Sequence, residues 1–174
     1  MNLFEKIRQN RQLDKKDTLV FGASNDYNIT KNFKFSELIY SNTAIKNKIQ
    51  NNPTKDDLIN MENLCKKILQ PIRDKYNKPI KVNSCYRCPK LNKLVGGSAT
   101  SDHMVGAAAD IKAVDGNNKK LFDLILKMIK SKEIECRQLI WEYGTKKMPQ
   151  WIHISINNKQ HQIKKNQILY LYSK

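Results

Sequence analysis

Ser101-Asp102-His103-Met104-Val105-Gly106-Ala107-Ala108-Ala109-Asp110 is the stretch from which the rest of the chain can be read. It contains one of only three histidines and, further along, an aspartate. On a continuous helix the interval from His103 to Asp110 would separate the two side chains by roughly 10 Å of rise, too far to share one ion. They meet only if the chain turns between them. Gly106 supplies the backbone freedom for that turn, and Ala107, Ala108 and Ala109 suit a strand that passes close to its neighbours. His and Asp are both good zinc donors.

A second histidine extends the pattern. In Trp151-Ile152-His153-Ile154-Ser155-Ile156, strand alternation puts the three isoleucines on one face and His153 on the other. An isoleucine face turned to the core leaves His153 toward a cleft. Two histidines and one carboxylate leave the fourth tetrahedral position of zinc to water, as in a catalytic rather than a structural site. Hydrolysis there needs a base near the water, and Glu142, ending the preceding strand, is the candidate. On spacing alone the alternatives stay open: either histidine can be an ordinary polar residue, and a strand-end glutamate a solvated surface group.

Around these residues the pattern is that of a mixed domain. Phe33, Phe35, Leu38 and Ile39 form an apolar cluster about a short helix with Ser36 as its expected cap. The strongest helix opens at Thr54, with Asp57 three residues on, and carries Leu58, Met61, Cys65, Ile68, Leu69, Ile72 and Tyr76 at helical spacing. Pro71 inside it is expected to kink or end it. A strand over 80–84, a short helix around 90–94 and a glycine-rich loop at Gly96-Gly97-Ser98 follow. Further strands are expected at 107–113, 138–143 and 151–156, the last two pairing as a hairpin, with a helix bearing Leu121, Phe122, Ile125, Met128 and Ile129 in between. The fold class is therefore α+β: a small, mainly antiparallel sheet carrying the ligands, with the two longer helices packed on it.

The 174 residues suit one domain. Residues 1–30 read as a basic extension with one short helix near 3–11 and a turn at 22–26, and 157–174 as a basic tail with a last apolar strand from Ile168 to Tyr172. The balance of 32 Lys+Arg against 16 Asp+Glu, +16 in all, attracts polyanions such as nucleic acid or anionic cell wall. The charge is dispersed and no nucleic-acid motif accompanies it, so nucleic acid is the lesser reading. The opening residues lack a secretory leader and no run approaches a membrane span, so a soluble chain made in the cytoplasm is expected. Cys65, Cys85, Cys88 and Cys136 are expected as reduced thiols, because Cys85 and Cys88 lack the second pair that a zinc ribbon needs. His161 is given no role. Trp141, Tyr143 and Trp151 read as packing first and groove lining second.

The run from Ser101 to Asp110 resembles the SxHxxGxAxD signature of the hedgehog/D-Ala-D-Ala zinc peptidase family, and Trp151 to Ser155 resembles its second histidine strand. The likeness continues through Asn83-Ser84-Cys85-Tyr86-Arg87, Leu91-Asn92 and Gly96-Gly97-Ser98 to Phe33 and Ser36-Glu37-Leu38, covering roughly residues 31–156. It departs at Cys85, where relatives commonly have glycine, and at Cys88, where a small polar residue is common. The resemblance implies a zinc ion on His103, Asp110 and His153, Glu142 as general base, and Arg87 and Ser101 contacting substrate. Compact phage and bacterial enzymes that cut peptidoglycan stem peptides are the most similar members; with no leader expected, such an enzyme reaches the wall after lysis or on a phage particle, and a monomer is the favoured state. The rival class is a zinc-containing binding module or virion protein without turnover.

Overall fold

A computed structural model describes residues 26–161 and 166–173. The expected helix near 3–11 and nearly all of the turn at 22–26 lie outside the described residues.

Five strands form one sheet: β1 (Ile80–Ser84), β2 (Ala108–Ala113), β3 (Gln138–Glu142), β4 (Trp151–Ser155) and β5 (Gln167–Leu171). Their order is β1-β2-β4-β3-β5, antiparallel except for the β3–β5 pair. The α+β class and the hairpin of β3 with β4 are as the alternation indicated. Asp110 of β2 and Ile140 of β3 are both direct partners of His153 in β4, so the three lie in one row across the sheet. Residues in register share a face. One face therefore carries Asp110, Ile140 and His153, and the other carries Ile111, Leu139, Trp141, Ile152 and Ile154, all buried in the core. Trp141 is thus a packing residue, edge-to-face with Phe122 at 5.2 Å between ring centroids.

The helix Asn118–Lys130 covers that inner face with Leu121, Phe122, Ile125, Met128 and Ile129. The other long helical segment begins at Lys55, where Thr54 and Asp57 cap each other reciprocally: the Asp57 carboxylate accepts from the Thr54 N–H at 2.8 Å and the Thr54 hydroxyl accepts from the Asp57 N–H at 3.3 Å. Pro71 does not end it. A π-helical turn, Cys65–Leu69, precedes the proline, and the helix resumes over Gln70–Tyr76. The wider turn absorbs the missing N–H and the ring. The short helix Phe35–Ile39 starts two residues earlier than expected, with Lys34 rather than Ser36 at its N-cap. Carboxylates do the capping: Glu37 accepts from the Lys34 N–H and Asp26 from the Ser36 N–H.

Candidate metal centre and cleft

His103 sits on a single 3₁₀ turn, Asp102–Val105, which the Ser101 hydroxyl caps by accepting the His103 N–H at 3.3 Å. Gly106 ends the turn at φ +68°, in the left-handed region. Glycine is required there on a second count: a Cβ would lie 2.6 Å from the Asp57 carbonyl oxygen and 2.7 Å from Met61 Cγ. Asn60 adds a hydrogen bond to the Val105 carbonyl at 2.8 Å. The loop bearing the first histidine is thereby pressed onto the long helix, and the next residues enter β2 with Ala107, Ala108 and Ala109 fully buried.

Three donor atoms converge. His103 Nε2 lies 3.2 Å from Asp110 Oδ1 and 3.2 Å from His153 Nδ1, and His153 Nδ1 lies 2.9 Å from Asp110 Oδ1. The other nitrogen of His103, Nδ1, is 2.6 Å from the Cys85 carbonyl oxygen. A carbonyl only accepts, so Nδ1 carries the proton, and in the neutral ring Nε2 presents a lone pair to the cluster. Zinc bonds of 2.0–2.1 Å at tetrahedral angles would space such donors by roughly 3.3 Å. The observed separations are close to that, so the residues fit the ion. Burial raises the proton affinity of Asp110, but His103 and His153 outweigh it and hold its carboxyl well below the usual carboxylate range.

Arg87 is adjacent. Its N–H donates to the His103 carbonyl at 3.0 Å, and its Nη1 lies 3.5 Å from Asp110 Oδ2 while donating to the Ser84 hydroxyl at 3.2 Å. A register shift in β1 between Val82 and Ser84 accompanies this placement. Arg87 thus lies against a candidate metal ligand, a contact the linear pattern did not anticipate.

Glu142 shares the donor face, two residues beyond Ile140 on β3. It is not the solvated strand end that its position suggests: the Trp151 indole N–H donates to Glu142 Oε2 across the β3–β4 pair. Burial and then the Asp110 charge raise its proton affinity, against smaller opposing effects of His153, the Trp151 hydrogen bond and His103. Trp151 is therefore more than groove lining. Tyr143 packs against it at 4.9 Å between ring centroids.

The pattern missed a second buried cluster. Asp102 accepts from Arg137 Nη1 at 2.7 Å, from Asn158 Nδ2 at 2.8 Å and from His161 Nδ1 at 2.7 Å. His161, given no role from its polar surroundings, ties the chain after β4 to the His103 turn. The only linear signal was an acid immediately before a donor histidine. All four cysteines are free, and among the described residues His103, Asp110 and His153 are the group with metal-binding geometry. Burial pushes the Cys136 thiol up to about 12 and holds Cys65 and Cys85 far above the usual thiol range.

These groups open on one cavity of about 470 Å³, lined by Arg87, Ser101, His103, Asp110, Arg137, Glu142 and His153 with Gly96, Gly97 and Trp151 among others. An α+β domain presenting two imidazoles and a carboxylate at one point of an open polar cleft has the donor set of a catalytic metal site. The chain belongs to the peptidase M15 family, whose family profile matches residues 31–155. A search of curated proteins found no significant match. Among the described residues no helix is long and apolar enough to cross a membrane.

Proposed function

We propose that the chain is a zinc peptidase that hydrolyses peptide bonds of bacterial peptidoglycan, with His103, Asp110 and His153 as metal ligands and Glu142 as general base. The observation that carries the reading is the convergence of three donor atoms within 3.2 Å of one another, in a cleft that also holds a carboxyl with raised proton affinity. Bound at these donors, zinc supplies a Lewis acid that acidifies water and polarises a carbonyl. Glu142 takes the proton of the attacking water and returns it to the leaving amine, and its raised proton affinity brings it nearer the working pH. Trp151 fixes one carboxylate oxygen, leaving the other for proton transfer. Arg87 holds Asp110 in place and, with Ser101, meets the substrate beside the donors. Membership of the peptidase M15 family supports a peptide substrate. The +16 charge suits adhesion to an anionic wall.

The test is mass spectrometry of isolated peptidoglycan after incubation with zinc-loaded protein, with chelated protein and Glu142→Gln as controls. New peptide termini that vanish in both controls are expected. No products from walls of several chemotypes would overturn the reading.

A further inference from the structure

Arg137 has no part in the chemistry above, yet its side chain lines the same cavity. It is 13% exposed, and among the described residues its one ion pair is with Asp102, whose side chain is 3% exposed. That pair uses Nη1 alone. Nε is buried without a partner, so the planar fork is not closed two-pronged on Asp102, as an arginine kept only to neutralise a buried acid would favour. Asp102 is itself held by Asn158 and His161, which makes a rigid mount for the guanidinium.

The acids on the cavity wall are all engaged: Asp102 by Arg137, Asp110 by the two imidazoles and Arg87, and Glu142 by Trp151. Among the described residues no further acid lines the cavity, so a carboxylate for the exposed part of the Arg137 side chain would come from a ligand. Ile140 pairs with His153 at the donor row, and Arg137 stands three residues before it, just ahead of β3, with its guanidinium held on Asp102 beside the His103 turn.

We propose that Arg137 determines substrate specificity by receiving a carboxylate of the peptide away from the bond cut, with Asp102 positioning the guanidinium. This rests on the peptidase reading.

The experiment is calorimetric binding of the peptidoglycan stem peptide to zinc-loaded Glu142→Gln protein, using the free acid and forms in which each carboxylate in turn is a carboxamide. One amidation is expected to weaken binding by about tenfold or more, the range of a hydrogen bond to a charged group. In the Arg137→Gln background that same amidation should make little difference, with Arg137→Lys in between because it keeps the charge and loses the fork. Equal binding of acid and amide forms at every position, or an amidation penalty that survives in Arg137→Gln, overturns the proposal, as does failure of Glu142→Gln to bind any form. If Arg137→Gln does not fold, Arg137→Lys decides by the same ratio. Failure of the peptidase reading shows separately, as peptides that bind but are not cut by the unsubstituted protein.

Discussion

Gly106→Ala is the substitution whose cost the structure specifies best. Two effects act together. The left-handed backbone at φ +68° disfavours any residue with a Cβ by about 1–2 kcal/mol. The added methyl would also sit 2.6 Å from the Asp57 carbonyl oxygen and 2.7 Å from Met61 Cγ, so loop and helix must part by several tenths of an ångström. Overpacking of this kind costs a further 1–3 kcal/mol or so, for a total of about 2–5 kcal/mol, large against the roughly 5–15 kcal/mol of a whole domain. Gly116→Ala is the matched control. Gly116 has φ +78° and nothing within 4 Å of its would-be Cβ, so it registers the backbone effect alone. The assay is urea unfolding followed by circular dichroism, in chelator so that metal linkage does not enter. Gly106→Ala should lose more stability than Gly116→Ala and also bind zinc more weakly, because His103 lies three residues before the strained position. Equal losses would refute the steric argument. Unchanged zinc affinity would refute the claim that this packing sets the histidine.

Four further outcomes follow from the site. At zinc one hundredfold above its dissociation constant the protein should gain about 2.7 kcal/mol against urea, and His153→Ala or Asp110→Ala should abolish most of that gain; an undiminished gain in either variant would place the metal elsewhere. Glu142→Gln should cut turnover by about 10²–10⁴-fold while leaving zinc binding intact. Because Glu142 acts as a base only when ionised and its proton affinity is raised, activity should fall with decreasing pH above the usual glutamate range. Trp151→Phe removes a hydrogen bond that favours the ionised form and should move that limb to higher pH, and a limb that stays put or moves down would contradict the assignment. Asp102→Ala should destabilise the fold by about 3–5 kcal/mol in chemical denaturation, since it strands the Arg137 charge, whereas a loss under about 1 kcal/mol would mean that the cluster is surface-like.

Much of this was legible in one dimension because it depends on local period and local sterics. Alternation alone put His153 opposite its three isoleucines, the spacing of Leu58, Met61 and Ile68 drew the core stripe of the long helix, and Thr54 with Asp57 marked where that helix starts. His103 and Asp110 had to meet through a turn, and the turn is at Gly106. Local reasoning failed where a neighbour in space supplied the answer. Ser36 looked like a cap until the Asp26 and Glu37 carboxylates took the amides. Pro71 looked like a breaker until a π turn made room for it.

What the sequence by itself determined is therefore most of the elements, because a strand's period and a positive-φ turn are properties of a few adjacent residues; the helix Asn42–Lys46 was not among them, and His103, Asp110 and His153 stood out as one set through the family resemblance rather than through spacing. Only the tertiary structure decided the row in which Asp110, His153 and Ile140 align, since register between strands is a long-range choice. It alone turned Trp151 onto Glu142 and Arg87 onto Asp110. It also joined Asp102 to His161, 59 residues away, into the mount beneath Arg137. A buried charge must find its partners wherever the fold brings them, and no local pattern records which ones those will be.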